Sequence, residues 1–146
     1  MTDNQYHAKT WLNKIYIMTQ TELATKEEMQ AKALAAITNG ATDYGKERVQ
    51  SDSSNSQEQR QITYSMITIE VEKTKEKIAQ LIRPRLDAID MLEDSTLRVI
   101  LLERYINQKK WNEIEDKLSY SHAGMMKLHL RALDEISTYI PKGEDN

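Results

Sequence analysis

The chain has 146 residues, of which 39% are hydrophobic and 29% charged, with a net charge of −3, four Gly, two Pro and no Cys. That length accommodates one domain, or a small domain with an extended element. The lack of Cys excludes a disulfide-stapled secreted domain, and no stretch approaches the roughly 20 apolar residues that a membrane span requires. The N-terminus has neither the basic region nor the apolar run of a signal peptide. We therefore expect an all-α, cytoplasmic protein without a membrane partner.

Residues 4–38 predict one long amphipathic helix. They lack Pro and Gly, and their apolar residues recur at intervals of three and four. The dipeptide Asn39-Gly40 is a strong helix terminator, and the residues after it are rich in Gly, Ser, Asp and Asn. We expect the helix to end there and residues 39–56 to form a polar loop.

A second long helix is predicted from about Ser56 to residue 92, with a kink or restart at Pro84 because proline removes a backbone donor. An apolar 3-4-3-4-3 spacing within it is typical of a coiled-coil seam. A second apolar row of Ile62, Met66 and Ile69 indicates a second neighbour. The seam positions are Tyr64, Ile67, Val71, Thr74, Ile78 and Leu81.

Together the two helices predict a long antiparallel hairpin over residues 1–92. A hairpin is too thin to bury two apolar rows, so it either packs on the C-terminal domain or self-associates. The second row favours self-association, and we expect a homo-oligomer formed by the long helices. The predicted oligomerisation residues are Tyr64, Ile67, Val71, Ile78 and Leu81.

Residues 93–146 predict a separate helical domain. Asp94 gives a cap signal for an apolar supporting helix. After that helix, residues 111–136 place a short helix, a tight turn and a longer helix at the spacing of a DNA-binding helix-turn-helix. Glu115 and Ser119 stand where this motif favours a small residue and a Gly. The positions that should bury apolar side chains between the two helices are Ile114, Leu118, Tyr120, Met125 and Leu128.

The charge distribution favours DNA contact by the second helix of this motif. No acidic residue occurs between Lys117 and Arg131, although an ordinary solvated face has the same composition. Lys127 and Arg131 can reach phosphates or guanine acceptors, while Met126 and Leu130 either meet the groove wall or pack against the N-terminal helices. Lys109, Lys110 and Lys117 are predicted to bind DNA phosphates. The predicted DNA-binding residues are Lys109, Lys110, Lys117, Ser121, His122, Ala123, Met126, Lys127, Leu130 and Arg131.

Catalysis finds little support in the sequence. His7, His122 and His129 are isolated, and without Cys there is neither a thiol nucleophile nor a zinc-binding Cys pair. Paired acids lie on highly charged predicted helices, where a solvated face is typical, and no Gly-rich phosphate loop is present. We therefore expect a protein that is not an enzyme, with no catalytic residue, no metal and no cofactor.

A family resemblance rests on residues in the supporting helix and in both helices of the motif. These are Leu102, Arg104, Tyr105, Ile106, Trp111, Glu113, Ile114, Leu118, Tyr120, Ser121, Leu128, His129, Arg131, Ala132 and Leu133. In this combination, residues 97–136 resemble the C-terminal domain of small phage transcription regulators of the RinA and ArpU type, which are similar to region 4 of bacterial sigma factors. The two long charged helices around a polar loop resemble that group as well. The sequence departs from the usual pattern at Glu115, Ser119, Gly124 and Leu130.

The resemblance implies control of phage late genes inside a bacterial host cell. Our leading hypothesis is a homo-oligomeric, sequence-specific regulator of transcription that binds double-stranded DNA. A first alternative is a small-terminase-like subunit that recognises DNA for packaging. A second is a region-4 mimic that docks on host RNA polymerase through Met126 and Leu130, without strong DNA binding.

Overall fold

The computed structural model describes residues 1–43 and 50–143. Within these ranges all regular structure is helical and there is no strand, so the all-α prediction is confirmed. No helix in the described residues is long and apolar enough to cross a membrane. The elements are α1 (Asp3–Met18), a first π segment (Thr19–Leu23), α2 (Ala24–Asp43), α3 (Gln50–Asp90), α4 (Ser95–Leu101), a second π segment (Leu102–Ile106), α5 (Trp111–Leu118), α6 (His122–Ile136) and a 3₁₀ turn (Ser137–Tyr139).

Helices occupy much of the segment that the sequence predicts to be a polar loop, residues 39–56. Helix α2 continues past Asn39-Gly40 to Asp43, and α3 already begins at Gln50, so only residues 44–49 of the predicted loop lie outside the described residues. A single Gly costs a helix only about 1 kcal/mol relative to Ala, and no Pro follows to enforce the end.

Pro84 does not restart a helix, because α3 runs through it to Asp90. Near the backbone position where proline removes a donor, the Arg85 guanidinium donates to the carbonyl of Leu81 at 2.9 Å.

The chain forms two compact units, and their boundaries differ from the domain boundary predicted after residue 92. The first unit contains Met1–Met18 and the chain from Ile78 onward, and the second contains Thr19–Lys77. Helix α1 therefore belongs to the same unit as the C-terminal helices. The reason is burial: Ala8, Trp11 and Leu12 of α1 pack in the same apolar cluster as residues of α4 and α6.

The core of the first unit consists of two apolar clusters. The buried side chains of the larger cluster are Ala8, Trp11, Leu12, Ala88, Ile89, Leu92, Leu97, Leu101, Tyr105, Ala132, Leu133 and Ile136. The smaller cluster contains Ile100, Ile114 and Met125. Arg85 is buried beside them, with its Nε donating to the Trp11 carbonyl at 2.9 Å and its guanidinium 4.3 Å from the centre of the Trp11 ring. These contacts attach α1 to the end of α3.

In the second unit, α2 and α3 run side by side in opposite directions. Lys26 Nζ donates to Thr74 Oγ1 at 2.8 Å, and Gln30 Nε2 donates to Thr68 Oγ1 at 3.0 Å. The later residue of α2 thus contacts the earlier residue of α3, as in an antiparallel pair. Lys26 also pairs with Glu22 at 3.1 Å. Polar contacts thus connect the two helices.

The predicted coiled-coil seam is partly covered by the chain itself. Its members Val71, Thr74 and Ile78 are buried, whereas Tyr64, Ile67 and Leu81 are half-buried. The second apolar row is the open one, because Ile62, Met66 and Ile69 are all exposed. Oligomerisation through the seam stays a prediction, and the second row is the larger apolar surface still available.

Candidate nucleic-acid interface

The domain that supports the candidate interface begins with a side-chain cap. Asp94 Oδ1 accepts hydrogen bonds from the backbone N–H groups of Thr96 at 2.9 Å and Leu97 at 3.4 Å, as expected for the residue before α4. Leu97, Ile100 and Leu101 of α4 are buried, so this short helix forms a support for α6. The cap signal read from the sequence lies where the helix begins.

Helix α5 ends in a tight turn that Ser119 makes possible. Ser119 has φ 62° and ψ 44°, the left-handed conformation for which Gly is favoured, and its N–H donates to the Glu115 carbonyl. A non-glycine residue in this conformation costs roughly 1–2 kcal/mol. The departure of Ser119 from the usual Gly therefore leaves the turn in place at the expense of backbone strain.

Ser121 lies directly before α6 and caps it. Its backbone is extended, and its Oγ accepts a hydrogen bond from the N–H of Gly124 at 3.1 Å. A Cβ added at Gly124 would lie 3.2 Å from that Oγ and 3.9 Å from the Tyr120 ring. Gly124 thus costs helix propensity, but it leaves room for the serine cap and the neighbouring tyrosine.

Glu115 occupies the position where close helix crossing favours a small residue. Its carboxylate meets His122 Nδ1 at 2.7 Å, and its side chain is mostly covered. A bulky acid is accepted here because the first residue of α6 supplies a hydrogen-bond partner for it. His122 is consequently engaged in a contact between α5 and α6 while its side chain stays exposed.

The five predicted apolar contact positions divide into three groups. Ile114 and Met125 are completely buried, and Leu118 and Leu128 pack partly buried against the same cluster. Tyr120 is 42% exposed, contrary to the expectation that it is buried between the helices. The left-handed residue before it ends the helical path of α5, and the tyrosine ring lies beside Gly124 instead.

Helix α6 has a buried and an open face. The buried side chains are Met125, His129, Ala132, Leu133 and Ile136. Among the predicted DNA-binding residues, Ala123, Lys127 and Arg131 are exposed, as are Ser121 and His122 at the start of the helix. Arg131 Nε pairs with Glu135 at 3.2 Å across one turn. Lys127 has no ion-pair partner within residues 1–43 and 50–143.

Met126 and Leu130 lie on another side of α6, next to α1. Both are half-buried, and with Lys9 and Asn13 of α1 they line a cleft of about 370 Å³. The backbone carbonyl of Leu130 also accepts a hydrogen bond from Gln5 Nε2 at 3.1 Å. Of the two alternatives for this pair, packing beside the N-terminal helix is the one that these contacts favour.

Two of the three predicted phosphate anchors share a buried carboxylate. Glu103 is 4% exposed and accepts hydrogen bonds from Lys117, from Asn107 at 2.6 Å and from Lys109 at 3.4 Å. The Lys117 hydrogen bond, followed by that of Asn107, lowers the pKa of Glu103 to about 2. Lys109 and Lys117 are therefore partly neutralised, whereas Lys110 is exposed at the start of α5.

His129 is a buried polar residue that sequence reasoning treated as isolated. Its Nε2 lies 2.6 Å from the Tyr105 hydroxyl, and the Trp111 ring contacts it edge-on with centroids 4.6 Å apart. Burial, followed by the charges of Lys9 and Arg104, lowers the pKa of His129 to about 4. Its position on the same helical face as Met125 and Ala132 is the one sequence signal that could have indicated burial.

The described side chains include no group of three or more His, Asp or Glu that could hold a metal ion. The open face of α6 presents Ala123, Lys127 and Arg131, next to the start of the helix that Ser121 caps. Comparison of the chain with protein-family models, with curated proteins and with solved structures finds no match.

Proposed function

We propose that this protein is a homo-oligomeric, sequence-specific DNA-binding regulator of transcription, in which α5 and α6 form a helix-turn-helix. The main support is the placement of Lys127, which is exposed on α6 opposite a completely buried face and has no acidic partner among the described residues. The second helix of a helix-turn-helix presents its open face to the major groove, where a Lys side chain reaches phosphates or guanine acceptors. The long helices α2 and α3 set the oligomeric state in this proposal.

Each residue of the open face has a distinct role in the proposal. Lys127 contacts a phosphate or the acceptor edge of guanine, and Arg131 does so after leaving Glu135, an exposed partner worth at most about 1 kcal/mol. Ala123 lies against a thymine methyl group. The backbone N–H groups at the start of α6, next to Ser121, bind a phosphate.

The predicted phosphate anchors differ in strength within this proposal. Lys110 keeps its full charge for a DNA phosphate, whereas Lys109 and Lys117 already neutralise Glu103. We therefore expect Lys110 to contribute more to the salt dependence of DNA affinity than either of the other two. Met126 and Leu130, which lie beside α1, contribute little to base contact.

The biological role belongs to the same proposal and rests on the resemblance to RinA and ArpU type regulators. We infer that the chain acts on phage late genes, with host RNA polymerase as a further partner. The exposed row of Ile62, Met66 and Ile69 supports self-association, because soluble chains rarely leave such a row uncovered.

The proposal is tested by selecting fragments of the source genome that bind the full chain at a stated salt concentration. Fluorescence anisotropy on the selected fragment then compares the wild type with Lys127→Glu and with a matched control, Lys142→Glu, which makes the same charge change at an exposed residue beyond α6. We expect binding at least tenfold weaker for the first variant and near wild-type binding for the second. Equal affinities of the two variants would remove Lys127 from the interface.

Light scattering and pull-down experiments on the same preparation separate the alternatives. A ring-like oligomer that prefers a packaging site over a promoter indicates the terminase-like function. Capture of RNA polymerase together with negligible, salt-insensitive DNA affinity indicates the region-4 mimic. Either result replaces the proposed function.

A further inference from the structure

A cleft in the first compact unit combines features that the proposed DNA contact does not use. It lies between α1 and α6 and has a volume of about 370 Å³. Pockets for small organic ligands span roughly 300–1,000 Å³, so this one accommodates a molecule of one or two rings. Its lining combines cationic side chains with aromatic and apolar ones.

Two cationic side chains, Lys9 and Arg104, line the cleft, and no acidic residue does. Lys9 has no acidic partner within the described ranges. Arg104 is held in place, because its Nη1 donates to the Lys109 carbonyl at 3.0 Å and its guanidinium lies 4.8 Å from the centre of the Trp111 ring. Burial lowers the pKa of His129, which also lines the cleft, and the charges of Lys9 and Arg104 lower it further. An anion is the ligand that these two cations favour.

Rings and apolar groups form most of the remaining lining, and one of them, Trp111, also carries the Arg104 guanidinium over its ring. Trp111 and His129 meet edge to face at 4.6 Å, and His129 is fixed by the Tyr105 hydroxyl at 2.6 Å. Met126 and Leu130 complete this wall. A thioether beside aromatic groups favours contact with a further ring, and the fixed orientation of Trp111 and His129 means that such a ring meets a preformed surface.

From these two sets of groups we propose that the cleft between α1 and α6 binds a small aromatic carboxylate, with its carboxylate at Lys9 and Arg104 and its ring against Trp111 and Met126. The proposal is independent of DNA binding. A DNA phosphate would satisfy the cations but leave the aromatic wall unused, so the two anion sources make different demands on the site.

The test uses the full chain labelled at methionine methyl groups and tryptophan indoles, with salicylate as the probe in an NMR titration. We expect saturable shifts of the Met126 methyl and the Trp111 indole signals. Met66, an exposed methionine of the other compact unit, and Trp11, which is buried outside the cleft, serve as internal controls that should not shift. Inorganic phosphate lacks the ring and benzyl alcohol lacks the charge, so each should bind at least tenfold more weakly than salicylate.

Variants of Lys9 separate a built site from nonspecific adsorption. Lys9→Met should weaken salicylate binding at least tenfold, Lys9→Arg should restore most of it, and Lys14→Met, a control on the same helix outside the cleft, should leave it unchanged. Unaltered circular dichroism shows that each variant is folded. Equal shifts at Met66 and Met126, or salicylate binding indifferent to Lys9→Met, would overturn the proposal.

A DNA titration of Lys9→Met distinguishes this site from the proposed DNA interface. We expect its DNA affinity to stay within about twofold of the wild type, while Lys127→Glu binds DNA at least tenfold more weakly and keeps salicylate binding. If phosphate alone reproduces the salicylate shifts and Lys9→Met loses DNA affinity, the cleft is a backbone-phosphate contact and the ligand proposal fails. Failure of DNA binding by the wild type leaves the salicylate result intact.

Discussion

The two compact units differ in how completely they bury their apolar side chains. The first unit contains two clusters whose central residues, including Ile100, Leu133 and Ile136, are inaccessible to solvent. Among the described side chains of the second unit, only Val71 and Thr74 are buried. The large apolar residues that are exposed among its described side chains are Met29, Leu34, Ile62, Met66 and Ile69.

This difference indicates two sources of stability. Burial of apolar surface contributes roughly 25 cal/mol per Å², so it stabilises the first unit more than the second, in which polar contacts such as Lys26 with Thr74 connect the helices. The self-association proposed above would cover the open apolar row of the second unit.

A matched pair of methionines gives the largest expected contrast. Met125→Ala removes a completely buried side chain and should cost about 2–5 kcal/mol of unfolding free energy, because it leaves a cavity. Met66→Ala changes the same residue type on an exposed surface of the second unit and should cost under about 0.5 kcal/mol.

Urea unfolding measures this contrast unit by unit. Both tryptophans of the chain, Trp11 and Trp111, lie in the first unit, so tryptophan fluorescence reports on that unit, while circular dichroism reports on all helices. Similar losses for the two methionine variants would contradict the difference in burial.

The second prediction is a pH dependence of stability that arises from His129 in the first unit. The folded pKa of His129 is about 4, below the ordinary value of 6.5, so the unfolded chain takes up the proton first. Stability is complete above pH 6.5 and should fall as the pH drops toward 4, with a total loss on the order of 3 kcal/mol. The lowered pKa of Glu103 adds a second loss, from its ordinary pKa of 4.5 downward through about 2.

Replacement of His129 tests the origin of the first loss. His129→Gln keeps a polar partner for Tyr105 and should remove the slope of tryptophan-detected stability between pH 6.5 and 4.5, leaving the decline due to Glu103. His122→Gln, at an exposed histidine, is the control and should retain the slope. A slope that persists in His129→Gln would assign the titration to another group.

Local signals predicted the elements of this fold well, because they depend on neighbours in the chain. Apolar periodicity predicted the helices, and Asp94 and Ser121 marked the starts of α4 and α6 through their own hydrogen bonds. Helix ends were less predictable, since Gly40 lies inside α2 and Pro84 inside α3 without ending either helix. In both cases the cost of one residue is smaller than the gain from continuing a long helix.

Contacts distant in the chain were beyond local reasoning. The position of α1 in the first unit depends on Trp11 meeting Arg85, a partner 74 residues away. Buried Glu103 contacts Asn107, Lys109 and Lys117. The contact with Lys117 depends on how α5 packs, so local sequence patterns showed Lys109 and Lys117 as free cations. The exposure of Lys127 was predictable from helical spacing, because it depends on one helix alone.

The smallest expected effect sharpens the comparison from the second unit. Thr74→Val removes a buried hydroxyl that accepts from Lys26 at 2.8 Å and donates to the Glu70 carbonyl at 3.0 Å, and it should cost about 1 kcal/mol. Lys26 keeps Glu22 as a partner, which limits the loss. Thr63→Val, at an exposed threonine of the same helix, is the control and should stay within about 0.5 kcal/mol of the wild type.

Because the second unit has no tryptophan, the Thr74→Val loss should appear in circular dichroism and leave tryptophan fluorescence unchanged. Equal losses in both signals would show that the two units unfold together.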